Sequence, residues 1–297
     1  MSIEQFADTV LERINEKAGG NFIVHKEHKT KNNGCAKVGL VVVTENNPVR
    51  PCVYMEEMFA AYTGKMLSLD EIVKIVYEGI LQSQEKTEEF DLDSVMEWEQ
   101  VKPNIIAQVI NEKMNEEKLS HLPHRSYLDL AIVYLIETGS DGNEIQTITV
   151  TYELLDKWKK EEEDLYNTAL KNMNDSANMT FRSMHEIITL DEVLSEEDVK
   201  GIDMYVFTNR TGIGGASVII NQDFLNLLAI LLKGDYVILP SSVHEVIVLP
   251  KTDQEWDFES LAQLVKDCNK LVVLETEVLG EHCYLYDSNT NELKIVA

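Results

Sequence analysis

The chain has 297 residues, 44% of them hydrophobic, enough to bury a substantial core as one large domain or two ordinary ones without staples. Asp and Glu outnumber Lys and Arg 52 to 26, and the resulting formal charge of −26 repels nucleic-acid phosphates and anionic headgroups, which argues against direct binding to either. Such a charge keeps a protein in solution, and it also suits a basic protein partner or a mimic of nucleic acid.

No apolar run approaches the roughly 18 residues needed to cross a bilayer, and the opening MSIEQFADTVLERI is acidic and helical where a secretory signal is basic and then apolar. The expectation is a cytoplasmic protein. Cys35, Cys52, Cys268 and Cys283 are far apart and none lies in a C-x-x-C pair, so they are expected as reduced thiols, with neither a zinc knuckle nor a disulfide framework.

In chain order, Ile3, Phe6, Ala7, Val10 and Ile14 recur at helical spacing, and Gly19-Gly20 stops the helix they predict. Lys26, Lys29, Lys31 and Lys37, with His25 and His28 among them, form a basic patch read as a solvated hairpin or loop. Leu40 to Thr44 and Val53 to Met55 predict a strand pair around a turn at Asn46-Asn47-Pro48. A short helix over Glu56 to Tyr62 closes at Gly64. Ser68-Leu69-Asp70-Glu71 then has the form of a capping box for a helix carrying Ile72, Val73, Ile75, Val76 and Ile80.

From Leu81 to Gln100 seven acidic residues stand against Lys86 alone, and this stretch reads as a mobile connection. It divides an N-terminal α+β part, residues 1–100, from a main α+β part, residues 101–297, unless the two are one continuous domain. In the main part, Asn104 to Lys118 is expected as a helix with Ile105, Ile106, Val109, Ile110 and Met114 inward. Tyr127 to Ile136 and Ile145 to Val150 are expected as strands about a turn at Ser140 to Asn143, before one long charged helix from Tyr152 to Met173, on which Trp158 is the apolar edge of a solvated face.

Met204 to Thr208, a turn over Asn209 to Gly215, a strand at Ala216 to Ile220 and a helix at Gln222 to Leu232 repeat that order. The last helix contains FLNLLAILL, apolar nearly all round, and is expected to be buried on several sides. Strands follow at Tyr236 to Leu239, Val243 to Leu249, Leu271 to Leu274, His282 to Tyr286 and Leu293 to Val296, with a helix at Asp257 to Cys268 and a closing turn at Asp287 to Asn291. The predicted class is α+β, built of repeated strand-turn-strand-helix units whose mainly antiparallel sheets are covered by helices.

Within Val243 to Leu249 read as a strand, alternation sends His244, Val246 and Val248 to one face and Glu245 and Ile247 to the other, so His244 and Glu245 cannot form an ordinary acid–base pair. Ser242 then shares a face with His244. That Ser–His couple is a minimal hydrolase idea, with Asn209 from the neighbouring turn, but it has no G-x-S-x-G elbow and no acidic orienter. The alternative is that Pro240-Ser241-Ser242 turns the chain, its hydroxyls bonding free backbone amides.

Gly212-Ile213-Gly214-Gly215 lacks the Lys-Ser or Lys-Thr and the following helix of a phosphate loop, and reads as a glycine hairpin. His121 and His124, like His25 and His28, have i, i+3 spacing without a carboxylate or cysteine companion, so neither a metal site nor a cofactor is predicted. A Cys–His pair from Glu281-His282-Cys283 and Cys268 would need those groups brought together.

The string LPSSVHEVIVLP, preceded by YVFTN and GASVII and followed by a strand pair ending in YLYD, resembles an uncharacterised bacterial domain-of-unknown-function family common in gut Firmicutes. LSHLPHRSYLDLAIVY and the region around ALKNM resemble that family's middle portion, so the likeness covers most of the chain from about Val38. The family has no assigned activity and implies no catalytic residue; it implies a cytoplasmic bacterial protein and marks Ser241, Ser242, His244 and Glu245 as matching positions. The resulting expectation is a non-enzymatic protein-binding or regulatory module that offers a sheet edge or acidic face to a basic partner protein. The alternatives are a hydrolase centred on Ser242 and His244, or an acidic nucleic-acid mimic.

Overall fold

The computed structural model describes residues 1–43, 52–88, 95–140, 145–174, 178–190, 204–251 and 256–297. The fold is α+β, and the chain divides into two compact units, Met1–Leu92 and Asp93–Ala297.

The first unit opens with α1 (Ile3–Ala18), whose Ser2 hydroxyl accepts from the Gln5 amide and whose chain turns out at Gly19 with φ of 57°, a left-handed conformation that glycine takes without strain. Antiparallel strands β1 (Ile23–Thr30), β2 (Ala36–Val43) and β3 (Cys52–Tyr54) follow, in that spatial order. The expected hairpin and strand pair are both present; the turn at Asn46-Asn47-Pro48 lies outside the described residues.

Helices α2 (Met55–Thr63) and α3 (Leu69–Glu88) complete this unit, and the predicted capping box is formed: the Ser68 hydroxyl accepts from the Glu71 amide, and Glu71 accepts from the Ser68 amide. Phe6, Val10 and Ile14 of α1 meet Val24, Leu40 and Val42 of the sheet and Ile72, Val76 and Ile80 of α3 in one core. The basic patch is partly neutralised within the unit: Lys26 pairs with Glu4 and Asp8 of α1, and the Lys31 ammonium sits 4.1 Å from the Tyr54 ring centre.

In the second unit, α4 (Trp98–Val101) precedes β4 (Ile105–Asn111), where a helix over Asn104 to Lys118 was expected. Ile105 and Val109, like Ile106 and Ile110, fit the i, i+4 pattern, while Ile105, Ala107 and Val109 fit the i, i+2 pattern as well. The β-branched isoleucine and valine side chains and the full ladder from Ile105↔Ile136 to Asn111↔Leu130 with β6 decide for the strand. After α5 (Glu116–Leu119), β5 (His124–Tyr127) and β6 (Leu130–Ser140) form a hairpin, so the strand expected over Tyr127 to Ile136 is present from Leu130 onward but is broken from Tyr127 by a two-residue turn, with Leu128 at φ of 58°. β7 (Ile145–Thr149) returns along β6; residues 141–143 of the expected turn lie outside the described ones.

The long charged helix is two: α6 (Tyr152–Trp158) ends at Lys159, left-handed at φ of 56°, and α7 (Glu162–Met173) restarts with the Glu161 amide donating to Asp164. Trp158 is buried, against the expectation, with its indole N–H on the Val95 carbonyl at 3.0 Å and its ring against Trp98.

A six-stranded antiparallel sheet makes up the rest of the unit, with β8 (Met179–Ser183), β9 (Tyr205–Asn209), β10 (Tyr236–Leu239), β11 (Val246–Pro250), β12 (Tyr284–Asp287) and β13 (Glu292–Ile295) in the order β13-β12-β10-β11-β9-β8. α8 (Met184–Leu190) follows β8. α10 (Phe258–Leu271) buries Ala262 and Val265 against Val237, Leu239 and Cys283 of the sheet. Residues 271–274, expected as a strand, are the end of α10 and a turn.

Ala216 to Ile220, also expected as a strand, belongs to a 3-10 turn over Gly215–Ile220 that is buried throughout. Tertiary packing overrides the β-propensity of Val218, Ile219 and Ile220 here, and with it the third strand-turn-strand-helix copy fails, so the repeat is not confirmed. α9 (Gln222–Leu232) has the expected bounds, its Asn221 side chain accepting from the Asp223 and Phe224 amides. Its burial is not the expected one. Phe224, Leu225 and Leu228 are buried, while Leu227, Ile230 and Leu231 face solvent.

Candidate functional site

The positions singled out in the sequence meet where β9 ends, β11 begins and the 3-10 turn passes between them. β11 starts at Val246, so Val243 to Glu245 form a loop and the strand alternation assigned to His244 and Glu245 does not hold. The reason lies in the loop's other partners: the Val243 amide donates to the Glu277 carbonyl, and the Val243 carbonyl accepts from Ala216. Ser242 makes an isolated antiparallel bridge with Val278, and the Ser241 carbonyl accepts from Leu279.

Ser242 is 5% exposed, and its hydroxyl accepts from the His244 backbone amide at 3.0 Å. This is the turn arrangement that Pro240-Ser241-Ser242 suggests. On the imidazole, Nδ1 accepts the Gly214 N–H at 3.2 Å, which leaves the proton of the neutral ring on Nε2, 3.4 Å from Glu277 Oε1. The His244 carbonyl accepts from the Thr208 hydroxyl at 2.6 Å. Residue 244 is therefore held through its amide, its carbonyl and both ring nitrogens.

Asn209 closes the adjoining loop upon itself: Oδ1 accepts from the Thr211 and Gly212 amides at 3.1 and 2.8 Å, and Nδ2 donates to the Ile213 carbonyl at 2.8 Å. Gly214 adopts φ of 60°, and at Gly215 a Cβ would collide with the Thr208 hydroxyl and come within 2.5 Å of the His244 carbonyl. Glycine is required there by close approach. Burial raises the Glu245 carboxyl above its ordinary value, His244 opposes that shift, and Glu277 adds to it.

Thus Asn209, Ser241, Ser242, His244 and Glu245 do gather at one end of the six-stranded sheet, and Glu277, Thr208, Gly214 and Gly215 join them. Glu277 lies far downstream in an unpatterned ETEVLG stretch, so no spacing rule connects it to His244. Gly214 and Gly215 carry a legible signal as glycines, yet what they approach is visible only in three dimensions.

The remaining reactive residues are placed apart. His282 Nδ1 lies 2.7 Å from Asp129 Oδ2, and the Tyr284 hydroxyl donates to Asp129 Oδ1 at 2.5 Å, joining the β5–β6 turn to the approach to β12. Cys283 packs in the apolar cluster under α10, where burial pushes its thiol up to about 12, far from the activated range of a nucleophile. His124 spends Nδ1 on the Leu122 carbonyl, and His28 lies 3.8 Å from Glu4. Among the described residues no group of three or more His, Cys, Asp or Glu is placed to hold a metal, and no helix is long and apolar enough to cross a membrane.

Residues 3–288 match the model of a family described as a family of unknown function, DUF5688. No curated protein and no solved structure matches the chain.

Proposed function

We propose that this chain, which belongs to the DUF5688 family of unknown function, is a non-enzymatic protein-binding or regulatory module of the bacterial cytoplasm that holds a partner protein on the outer face of α9. The observation that carries the reading is the exposure of Ile230 at 73%, Leu231 at 54% and Leu227 at 36% on a helix whose opposite face is buried. Burying each such side chain contributes about 1.5–3 kcal/mol, so an apolar stripe of this kind favours association. The formal charge of −26 favours a basic partner and speeds its approach.

The loop cluster serves this role as scaffold. His244 anchors Gly214, Gly215 packs on the His244 carbonyl, and the 3-10 turn that follows leads through the Asn221 cap into α9. Ser242, His244 and Asn209 thereby set where α9 begins. The same bonds weigh against the hydrolase alternative: a serine nucleophile needs an imidazole nitrogen free to take its proton, whereas the Ser242 hydroxyl accepts from an amide and His244 Nδ1 is occupied by Gly214.

The test is affinity capture from the native host's lysate with the wild-type chain and with Ile230→Asp/Leu231→Asp, each at low and high salt. A stoichiometric partner that is lost in the variant supports the α9 reading. Capture unchanged by the variant but abolished by salt would favour the nucleic-acid mimic, since exposed charge pairs are screened and apolar contacts are not. Hydrolase activity that disappears with Ser242→Ala would overturn the non-enzymatic assignment.

A further inference from the structure

β13 forms one edge of the six-stranded sheet, and among the described residues β12 is its one paired neighbour. The β12 register assigns its faces. Lys294 lies opposite Leu285, which packs into the cluster under α10, so Lys294 and Glu292 share the α10 face. Leu293 and Ile295 lie opposite Tyr286 and Tyr284 on the other face, and Ile295 is 41% exposed. Glu292 and Lys294 are both exposed and pair along the strand at 2.9 Å.

Charges on an edge strand usually discourage pairing. Here the two are of opposite sign, two positions apart on one face, and such an edge is complementary to its own copy. We propose that β13 pairs antiparallel with β13 of a second copy of this chain, in the register centred on Leu293.

The register follows from symmetry. A two-fold axis perpendicular to the sheet keeps the two α10 faces on one side, so a residue can face only itself or one removed by an even number of positions. Within the interior of β13 the centre is then Leu293 or Lys294. Centring on Lys294 sets that ammonium against its own copy, which is unfavourable. Centring on Leu293 sets Glu292 against Lys294 twice on the α10 face and Leu293 against Leu293 on the other. Charge and apolar pattern agree on this register, and it joins two six-stranded sheets into one.

The experiment is sedimentation velocity on the full chain over a range of concentrations, at physiological ionic strength where the screening length is about 8 Å and the repulsion between two acidic chains is damped. The wild type should dimerise. Glu292→Lys alone places Lys against Lys, Lys294→Glu alone places Glu against Glu, and each should weaken the dimer at least tenfold. The double variant Glu292→Lys/Lys294→Glu should restore it. Both residues are exposed, so circular dichroism should show all variants folded. A wild type that stays monomeric, single variants that dimerise as before, or a double variant that does not recover would each overturn the proposal. None of those outcomes bears on the α9 surface, which the variants leave intact.

Discussion

Ser242 and Glu245 lie three residues apart and are expected to respond oppositely to replacement. In Ser242→Ala the His244 amide loses its acceptor inside a buried turn, which should cost about 1–3 kcal/mol in urea unfolding. A serine kept for catalysis would instead lose activity with little change in stability. Burial holds the Glu245 carboxyl above its ordinary value, so the stability linked to its protonation is present at low pH and lost as pH rises through the folded-state value. Glu245→Gln should therefore raise the thermal midpoint at pH 7 to 8, and the gain should vanish as the pH is lowered into the ordinary carboxylate range. A gain that persists at low pH would contradict this account. The turn at Pro240-Ser241-Ser242 was legible because proline and serine have local conformational preferences; the His244–Glu277 contact was not, because nothing local ties two loops so far apart in the chain.

At the scale of elements, the sequence pattern succeeded where one period dominated and failed where two fitted. α1 and α3 each have a single apolar stripe, so both were legible, and the Ser68 capping box made the start of α3 legible as well. Ile105 to Asn111 fits both periods, and its pairing with β6 decides it. Gly215 to Ile220 has strand-forming residues but is folded as a 3-10 turn by contacts from Thr208 and Val243, which no local pattern encodes. The break between α6 and α7 is a left-handed residue carrying a side chain, which costs more than glycine would there. Lys159→Gly is expected to stabilise the chain by about 0.5–1 kcal/mol, read as a higher urea midpoint at unchanged slope. Destabilisation would show that the Lys159 side chain contributes more than the strain it carries.

On the scale of the whole molecule, the first unit has its own core from α1, α2, α3 and their sheet, and the second has its own cluster under α10. Separate expression of residues 1–92 and 93–297 should give two folded products by circular dichroism and cooperative melting; a product that stays unfolded would show that its unit depends on the other. The functional account rests on α9, whose apolar outer face was unreadable in advance because FLNLLAILL is equally suited to burial on every side. The most direct test is hydrogen exchange on the full chain, free and saturated with the protein it captures. The account predicts added protection over Gln222–Leu232, with the 241–245 loop unchanged. Protection confined to other segments, with α9 exchanging as in the free chain, would contradict it.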